Sequence, residues 1–277
     1  MKSKKGSGAM SNLSTAIVNY DYPNVISFED FYNKKNEDNK VKYNKDGSIN
    51  RSKCHKAVGK SSEVYAFRTK EEIKAMIEVF DKHIEESTNE HQRQIANRNK
   101  LLFIIGMNIG IRGSDLRTLK WSFFFDKKDG SFKFKNFYVL QPMKQRKQKK
   151  FVKLFFNQTV QTAIYNYIAE YPFDDLNDYL FASRKGEDPI EAKTIWNIVK
   201  NAAFEAGIEQ NIGSHSLRKS FGFWCWHQAE DKDKALVILQ MIFNHSSTQV
   251  TARYIGILDD EIEDMFNSIE LGLDMIL

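Results

Sequence analysis

The chain has 277 residues, of which 42% are hydrophobic, with 41 Lys and Arg against 36 Asp and Glu. Because the chain has only four Pro and 14 Gly, its composition excludes a collagenous or low-complexity protein. The longest apolar runs fall far short of the about 20 residues that cross a bilayer, and the basic N-terminus lacks the apolar stretch of a signal peptide. Because Cys54 and Cys225 form neither a disulfide framework nor a metal-ligand spacing, we expect a cytoplasmic protein.

The charge of the chain is divided between a basic body and an acidic tail. Seven acids and no Lys or Arg follow Tyr254, so the net charge of +5 combines a tail of −7 with a body of +12. A body of that sign favours a polyanionic partner, either nucleic acid or a membrane surface.

The sequence consists of a polar N-terminal segment followed by a longer periodic region. Residues 1–65 are rich in Asn, Lys and Asp and predict an arm or linker, whose Gly-Ser-Gly start resembles an expression tag. Residues 66–277 are predicted to form one domain that ends with an amphipathic helix at 260–270.

Most of this domain is predicted to be helical. Thr69 and Glu72 form a capping-box pattern, which is typical of a helix start. The spacing of apolar residues and the positions of Gly and Pro then predict helices over 69–86, 90–109, 158–171, 191–206, 214–229, 232–243, 247–255 and 260–270.

The β signal is confined to one region. An aromatic run at Trp121–Phe125, a turn at Asp129–Gly130 and alternation over Phe132–Leu140 predict two antiparallel strands. A third strand is predicted at Lys150–Phe156. The predicted fold class is therefore mainly α with a small three-stranded antiparallel sheet, an α+β domain.

Two segments of the first half combine basic residues with turns. In GIRGSDL, Arg112 lies between a helix-ending glycine and Ser114, a predicted N-cap, where its guanidinium can turn inward; a surface Arg paired with Asp115 is the alternative. The turn between the last two strands is crowded with cations, which either follow a phosphate backbone or form a solvated charge run. These cations are Lys144, Arg146, Lys147, Lys149 and Lys150.

Two segments of the second half place histidine near arginine or tyrosine. In SHSLRKS, Ser214 is a predicted N-cap, which puts His215 and Arg218 on one face of a helix start, where free N–H groups and the helix dipole favour an anion. In NHSSTQVTARY, His245 precedes Tyr254 by nine residues. Taken alone, each segment also fits a structural histidine and a packed arginine or tyrosine.

Together these residue types suit one reaction. Two arginines, two histidines, a lysine and a tyrosine, with no carboxylate cluster and no P-loop, are typical of metal-free transesterification at a phosphodiester. A tyrosine oxygen attacks phosphorus and becomes covalently attached, while guanidinium groups hold the charged phosphate bidentately. A lysine can protonate the leaving oxygen, and no cofactor is expected.

The four segments resemble the conserved boxes of the tyrosine recombinases, the phage integrase family. GIRGSDL is similar to the first-arginine box, HSLRKS to the His-x-x-Arg box and NHSSTQVTARY to the box that ends at the tyrosine, in the family order. The resemblance covers about Ala66 to Glu270. It implies the catalytic-domain fold of that family and a site-specific DNA recombinase or integrase of a mobile element.

The resemblance also implies individual roles. Arg112 and Arg218 would clamp the scissile phosphate, and Tyr254 would be the nucleophile that forms a 3′-phosphotyrosyl intermediate. His245 would donate a hydrogen bond to the phosphate, and His215 would act in proton transfer with Tyr254.

Other residues of the boxes are implied as supporting groups. Asp115 would brace the site, and Lys144 would protonate the 5′ leaving oxygen. Gln145 follows Lys144 where family members often have threonine, so Lys147 and Lys149 stay as alternative acids. The further DNA contacts implied are Arg146, Lys147, Lys149, Lys150 and Lys219. At Asn244, where the family usually has glycine, asparagine tolerates a left-handed backbone.

The resemblance implies double-stranded DNA as the partner, a homotetramer on that DNA, no membrane, and association with the nucleoid. An apolar stripe in the acidic tail either packs within the chain or passes to a neighbouring protomer, as is common in the family. The stripe consists of Ile262, Met265, Phe266 and Ile269.

Other interpretations stay open, both for the N-terminal segment and for the reaction. Family members generally carry a helical core-binding domain before the catalytic domain, and residues 1–65 do not supply one. The alternative functions are relaxation of supercoiled DNA by a type IB topoisomerase with the same tyrosine chemistry, and a non-catalytic DNA-binding module.

Overall fold

The computed structural model describes residues 64–143, 151–183 and 188–269, without the side chains of 258–261. All of the described elements fall within one compact unit. No helix in these ranges combines the length and the apolar character needed to cross a bilayer. The arm or linker expected at 1–65 lies almost entirely outside the described residues and stays a prediction.

The helix starts are set by capping side chains. The hydroxyl of Thr69 accepts the N–H of Glu72 at 3.1 Å, and the Glu72 carboxylate accepts the N–H of Thr69 at 3.0 Å, which completes the capping box. The observed bounds agree with the predicted ones to within three residues. The described helices are α1 Lys70–Glu85, α2 Glu90–Ile109, α3 Gly113–Leu116, α4 Trp121–Phe124, α5 Gln158–Glu170, α6 Ala192–Glu205, α7 Ser214–His227, α8 Lys232–Phe243, α9 Thr248–Ile255 and α10 Ile257–Asn267.

The β region confirms the α+β class but differs from the single three-stranded sheet that the sequence predicts. Two antiparallel pairs are present among the described residues: β1 Phe125–Lys128 with β2 Ser131–Phe134, and β3 Phe137–Leu140 with β4 Val152–Phe155. The predicted middle strand breaks at Lys135, which donates to the carbonyl of Phe124, and at Asn136, which accepts from the N–H of Phe156. Its two halves therefore pair with different neighbours.

The predicted first strand is also wrong in part, because its aromatic run begins as the helical turn α4. The indole of Trp121 stacks on Phe173 with ring centroids 4.3 Å apart, and the phenylalanines at 123, 124 and 125 are all buried. A half-exposed strand buries alternate side chains. Because these three consecutive phenylalanines are all buried, a helical turn that leads into β1 is favoured over an extended strand.

Two apolar clusters hold the domain together. The larger one joins α1, α2, α5 and α6 to the strands, and the smaller one joins α7, α8 and α9. Gly222 lets α7 approach α9, because a Cβ there would lie 2.6 Å from the side chain of Ile255 and 2.8 Å from that of Phe243. Since Tyr254 precedes Ile255, the smaller cluster fixes the helix that carries the tyrosine.

Candidate active site

Arg218 lies at the centre of the candidate site. Its side chain on α7 is only 5% exposed, and its guanidinium donates to the carbonyl oxygens of Gly110 and Phe243, the latter at 3.2 Å. Gly110 follows the last residue of α2 and Phe243 ends α8, where carbonyl groups lack helical partners. One buried cation therefore ties two helix ends together.

Arg112 approaches the same carbonyl group. Its Nη2 donates to the carbonyl oxygen of Phe243 at 3.4 Å, so two guanidinium groups converge on one atom. Burial, with a smaller contribution from Arg112, lowers the pKa of Arg218 to about 10, while Tyr254 and Asp115 oppose this shift. Two cations held this close favour an anion beside them.

The start of α3 corrects the prediction that Ser114 is an N-cap. The N-cap is Arg112, two residues earlier, so the helix begins at Gly113, and the backbone carbonyl of Arg112 accepts the N–H groups of Asp115 and Leu116. The hydroxyl of Ser114 is buried and makes no hydrogen bond. Arg112 is therefore held beside the site by its own backbone carbonyl at the start of the helix, and no side-chain cap takes part.

Asp115 connects this arginine segment to the basic turn. Its carboxylate is buried and accepts the N–H of Met143 at 2.8 Å. Met143 is the last described residue before the predicted turn at 144–150, so Asp115 holds the chain at the point where the described residues end. The predicted acid and DNA contacts of the turn lie outside the described residues and stay predictions: Lys144, Arg146, Lys147, Lys149 and Lys150.

Tyr254 and His245 lie against each other beside the arginines. Their ring centroids are 5.0 Å apart, with the planes inclined at 72°, and the guanidinium of Arg218 lies beside the Tyr254 hydroxyl. Burial raises the pKa of Tyr254, whereas Arg218 and Arg112 oppose that shift. Burial and the same two arginines lower the pKa of His245 to about 4. At neutral pH the histidine is therefore uncharged and the phenol holds its proton.

The backbone between α8 and α9 explains how His245 reaches Tyr254. Asn244 adopts φ 52° and ψ 51°, the left-handed conformation that the sequence predicts for it. The N–H of His245 then donates to the carbonyl of Gln240 at 3.0 Å, and the Ser247 hydroxyl caps α9. A helix end, a left-handed turn and a cap bring residues nine positions apart into contact.

The start of α7 also differs from the prediction by one residue. Gly213, not Ser214, is the N-cap, because Gly213 accepts the N–H of Ser216 and donates its own N–H to the Ser216 hydroxyl at 3.1 Å. His215 is exposed in the first turn, three residues before Arg218. Its predicted role in proton transfer stays a prediction.

Lys219 is placed differently from an outer DNA contact. It is 6% exposed, and its Nζ lies 5.4 Å from the centroid of the Tyr254 ring. The structure therefore brings Lys219 together with Arg112, Arg218, His245 and Tyr254.

In the described ranges, His, Cys, Asp and Glu side chains do not group in threes that could hold a metal ion.

Sequence reasoning missed three groups of the site. Two are the carbonyls of Gly110 and Phe243, which any residue type offers and which therefore leave no pattern. The third is Thr251, a fully buried residue whose Oγ1 lies 3.1 Å from Nδ1 of His245. Its signal was its position three residues before Tyr254, on the same side of a helix.

Comparisons with known proteins identify the family of this chain. The model of the phage integrase family matches residues 67–261. The probable integrase/recombinase YoeC of Bacillus subtilis strain 168 is 33% identical over 178 residues, which cover 63% of this chain and 88% of YoeC. The tyrosine recombinase XerA of Pyrococcus furiosus is 27% identical over 186 residues, or 67% of this chain and 55% of XerA.

A solved structure shows the same fold. The XerH site-specific recombinase, in a post-cleavage complex with its palindromic difH substrate, aligns with a TM-score of 0.53 at 17% identity, covering 87% of this chain and 63% of that one. The chain belongs to the phage integrase family, as its motifs predict. It spans most of YoeC and about half of XerA.

Proposed function

We propose that this protein is a site-specific DNA recombinase that cleaves and rejoins DNA through Tyr254. The observation that carries the proposal is the convergence of Arg112 and Arg218 on one carbonyl oxygen, with the Tyr254 hydroxyl beside Arg218. Such a group of donors beside a nucleophile suits a phosphodiester. The relatives named as recombinases support the same substrate. Action on DNA implies a cytoplasmic, nucleoid-associated protein.

The reaction follows from this arrangement. A phosphate held by Arg112 and Arg218 presents its phosphorus to Tyr254, whose oxygen passes its proton to His215 and forms the new P–O bond while the bond to the 5′ oxygen breaks. The leaving 5′ oxygen takes a proton from Lys144 or another lysine of the basic turn. Because one ester replaces another, attack by a 5′ hydroxyl rejoins the strand and restores Tyr254.

Trapping on a nicked duplex tests this function. The nick lets the short 5′ fragment diffuse away after cleavage, so the covalent complex accumulates and remains visible on a denaturing gel. We expect the complex with the wild-type protein and with Tyr165→Phe, whose exposed tyrosine lies on α5, but not with Tyr254→Phe. A covalent complex that persists in Tyr254→Phe would contradict the proposal.

A topoisomerase would use the same chemistry, but the relatives YoeC and XerA are named as recombinases, which favours that function. Plasmid relaxation separates the two. A recombinase requires its target site, whereas relaxation of any supercoiled plasmid at similar rates would identify a topoisomerase.

We further propose that the protein assembles on DNA as a homotetramer through α10. The apolar stripe, which begins on this helix and ends just after it, is exposed in its own chain: Ile262, Met265, Phe266 and Ile269. A cavity of about 450 Å³ beside α8, lined by Ala235, Ile238 and Leu239, offers an apolar surface for the helix of a second copy. Exposed apolar surface of this kind is typical of an interface between proteins.

A further inference from the structure

The segment at residues 64–69 runs along α7 before the chain enters α1, and two hydrogen bonds hold it there. The N–H of Phe67 donates to the Ser220 hydroxyl at 2.6 Å, and the indole N–H of Trp224 donates to the carbonyl oxygen of Phe67 at 2.9 Å. The side chain of Phe67 is fully buried in the larger apolar cluster. The backbone that carries Arg68 therefore has a fixed position.

Arg68 reaches from this segment to the end of the helix that carries Tyr254. Its Nη2 donates to the carbonyl oxygen of Gly256 at 2.7 Å, and its guanidinium carbon lies 5.4 Å from the ring centroid of Phe223 on α7. The N–H of Arg68 donates to the Glu72 carboxylate at 2.7 Å. Both the backbone and the guanidinium group of Arg68 are therefore held in place.

Gly256 is the residue at which α9 ends. It is the C-cap of that helix, with φ 83°, and its N–H donates to the carbonyl oxygens of Ala252 and Arg253. Its own carbonyl oxygen accepts from Arg68. Basic side chains near a helix C-terminus commonly stabilise it through such bonds to carbonyl groups. The contact joins the segment before α1 to the end of α9.

The end of α9 matters because Tyr254 lies in its last turn. The helix has only eight residues, Thr248–Ile255. A helix this short depends on contacts with the rest of the domain, and helix ends fray first. Loss of the contact at Gly256 would therefore let Tyr254 move away from Arg218.

We propose that Arg68 is a positioning residue for strand cleavage, which holds the end of α9 through Gly256 and so keeps the Tyr254 hydroxyl beside Arg112 and Arg218. The proposal rests on the proposed function. Arg68 acts through the helix end and not through the phosphate. A phosphate contact is the alternative role for an arginine in a DNA-binding protein, and the experiments below separate the two.

Fluorine NMR of the full chain without DNA tests the effect on the tyrosine. When the 11 tyrosines are replaced by 3-fluorotyrosine, Tyr254→Phe identifies the signal of Tyr254. We expect Arg68→Met to shift or broaden this signal, and Arg98→Met to leave it unchanged. Arg98 is the matched control, because its half-buried guanidinium also donates to a backbone carbonyl, that of Ala182 at 2.8 Å. An unchanged Tyr254 signal in Arg68→Met would overturn the proposal.

Cleavage of a nicked duplex at saturating DNA tests the consequence. Arg68→Met should slow covalent-complex formation by about 10-fold or more, because a small displacement of a reacting group can cost about 100-fold in rate. Arg98→Met should cleave at the rate of the wild type. Thermal unfolding shows that each variant is folded. Cleavage by Arg68→Met as fast as that of the wild type would overturn the proposal.

The salt dependence of DNA binding separates positioning from a phosphate contact. We expect Arg68→Met to bind DNA with the same slope of affinity against salt concentration as the wild type. Loss of a phosphate contact would lower that slope by about one. A slope lowered by this amount in Arg68→Met would overturn the proposal.

Gly256→Ala tests the contact from its other side. A Cβ at this position would collide with Nη2 of Arg68, whereas the Cβ added by Gly207→Ala, at a similar φ of 72°, meets open space. Gly256→Ala should therefore slow cleavage more than Gly207→Ala does. It should also slow cleavage less in the Arg68→Met background than in the wild type, because no guanidinium remains to be displaced.

Two results with Gly256→Ala would overturn the proposal: cleavage equal to that of Gly207→Ala, or the same fold-change with and without Arg68. If the wild type itself forms no covalent complex, the proposed function fails. The fluorine signal still decides whether Arg68 positions Tyr254 in that case, so the two failures are distinguishable.

Discussion

The side chain of Arg218 combines a structural and a chemical role. It ties the ends of α2 and α8 through two carbonyl groups, and it lies beside the hydroxyl of Tyr254, whose raised pKa it opposes. Desolvation of its charge is unfavourable, as the lowered pKa of about 10 shows. A phosphate bound beside Arg218 and Arg112 would offset this cost, so the arrangement of the two arginines in the free protein favours the binding of an anion.

His245 should make the stability of the protein depend on pH. Its pKa falls from 6.5 in the unfolded chain to about 4 in the folded protein, so the unfolded chain binds the proton at higher pH. The contribution of neutral His245 is complete above about pH 6.5 and is lost as the pH falls toward about 4.

Urea denaturation at about pH 7 and about pH 5 measures this effect. We expect the free energy of unfolding to fall on acidification in the wild type, and to fall less in His245→Gln. An equal fall in both proteins would show that His245 does not carry the dependence.

The residues that the sequence revealed are those whose side chains have distinctive chemistry. Arg112, Arg218, His245 and Tyr254 were predicted because their types and spacing match one reaction, and the structure brings them together. The contact of Thr251 with His245 was not predicted, because a hydroxyl becomes informative only when folding places it beside His245.

At the scale of elements, the glycine that ends α2 links stability to the site. Gly110 has φ 68°, and a Cβ there would lie 2.2 Å from the ring of Phe221. Its carbonyl also accepts from Arg218. A larger residue at this position would strain the backbone, displace a ring and move an anchor of the arginine.

Gly110→Ala and Gly207→Ala form a matched pair. Gly207 follows α6 with φ 72°, but nothing lies within 4 Å of its missing Cβ. We expect Gly207→Ala to cost about 1 kcal/mol through backbone strain alone and to leave cleavage unchanged. Gly110→Ala should cost about 1–3 kcal/mol more through overpacking and should also slow cleavage. Equal effects of the two substitutions in denaturation and cleavage assays would contradict this interpretation.

The helices were predictable because their signals are local. The capping box of Thr69 and Glu72 and the glycine at 110 each lie within a turn of the boundary that they define. The pairing of the strands was not predictable, because the choice of partner strand depends on residues that are distant in the sequence. The break at Lys135 and Asn136 follows from bonds to Phe124 and Phe156, which no local pattern indicates.

At the scale of the whole molecule, the exposed stripe of α10 should control assembly. Phe266 is 73% exposed, and Phe204 on α6 is 82% exposed and serves as the control. We expect Phe266→Asp to abolish tetramers on DNA, because a charge cannot enter an apolar groove without a partner. Phe204→Asp should leave assembly intact.

Native mass spectrometry of the protein on duplex DNA checks this prediction. Strand exchange between two duplexes should fail in Phe266→Asp while binding to a single duplex persists. Tetramers of normal abundance in Phe266→Asp, or their loss in both variants, would contradict a role for this stripe.

Tyr254 should form a covalent bond to DNA, and peptide mass spectrometry detects that bond. The protein is incubated with nicked duplexes of diverse sequence, denatured, and digested with nuclease and protease. We predict a nucleotide remnant on the peptide that contains Tyr254, and none in Tyr254→Phe. A remnant on another of the 11 tyrosines would contradict the assignment of the nucleophile and the site built around it.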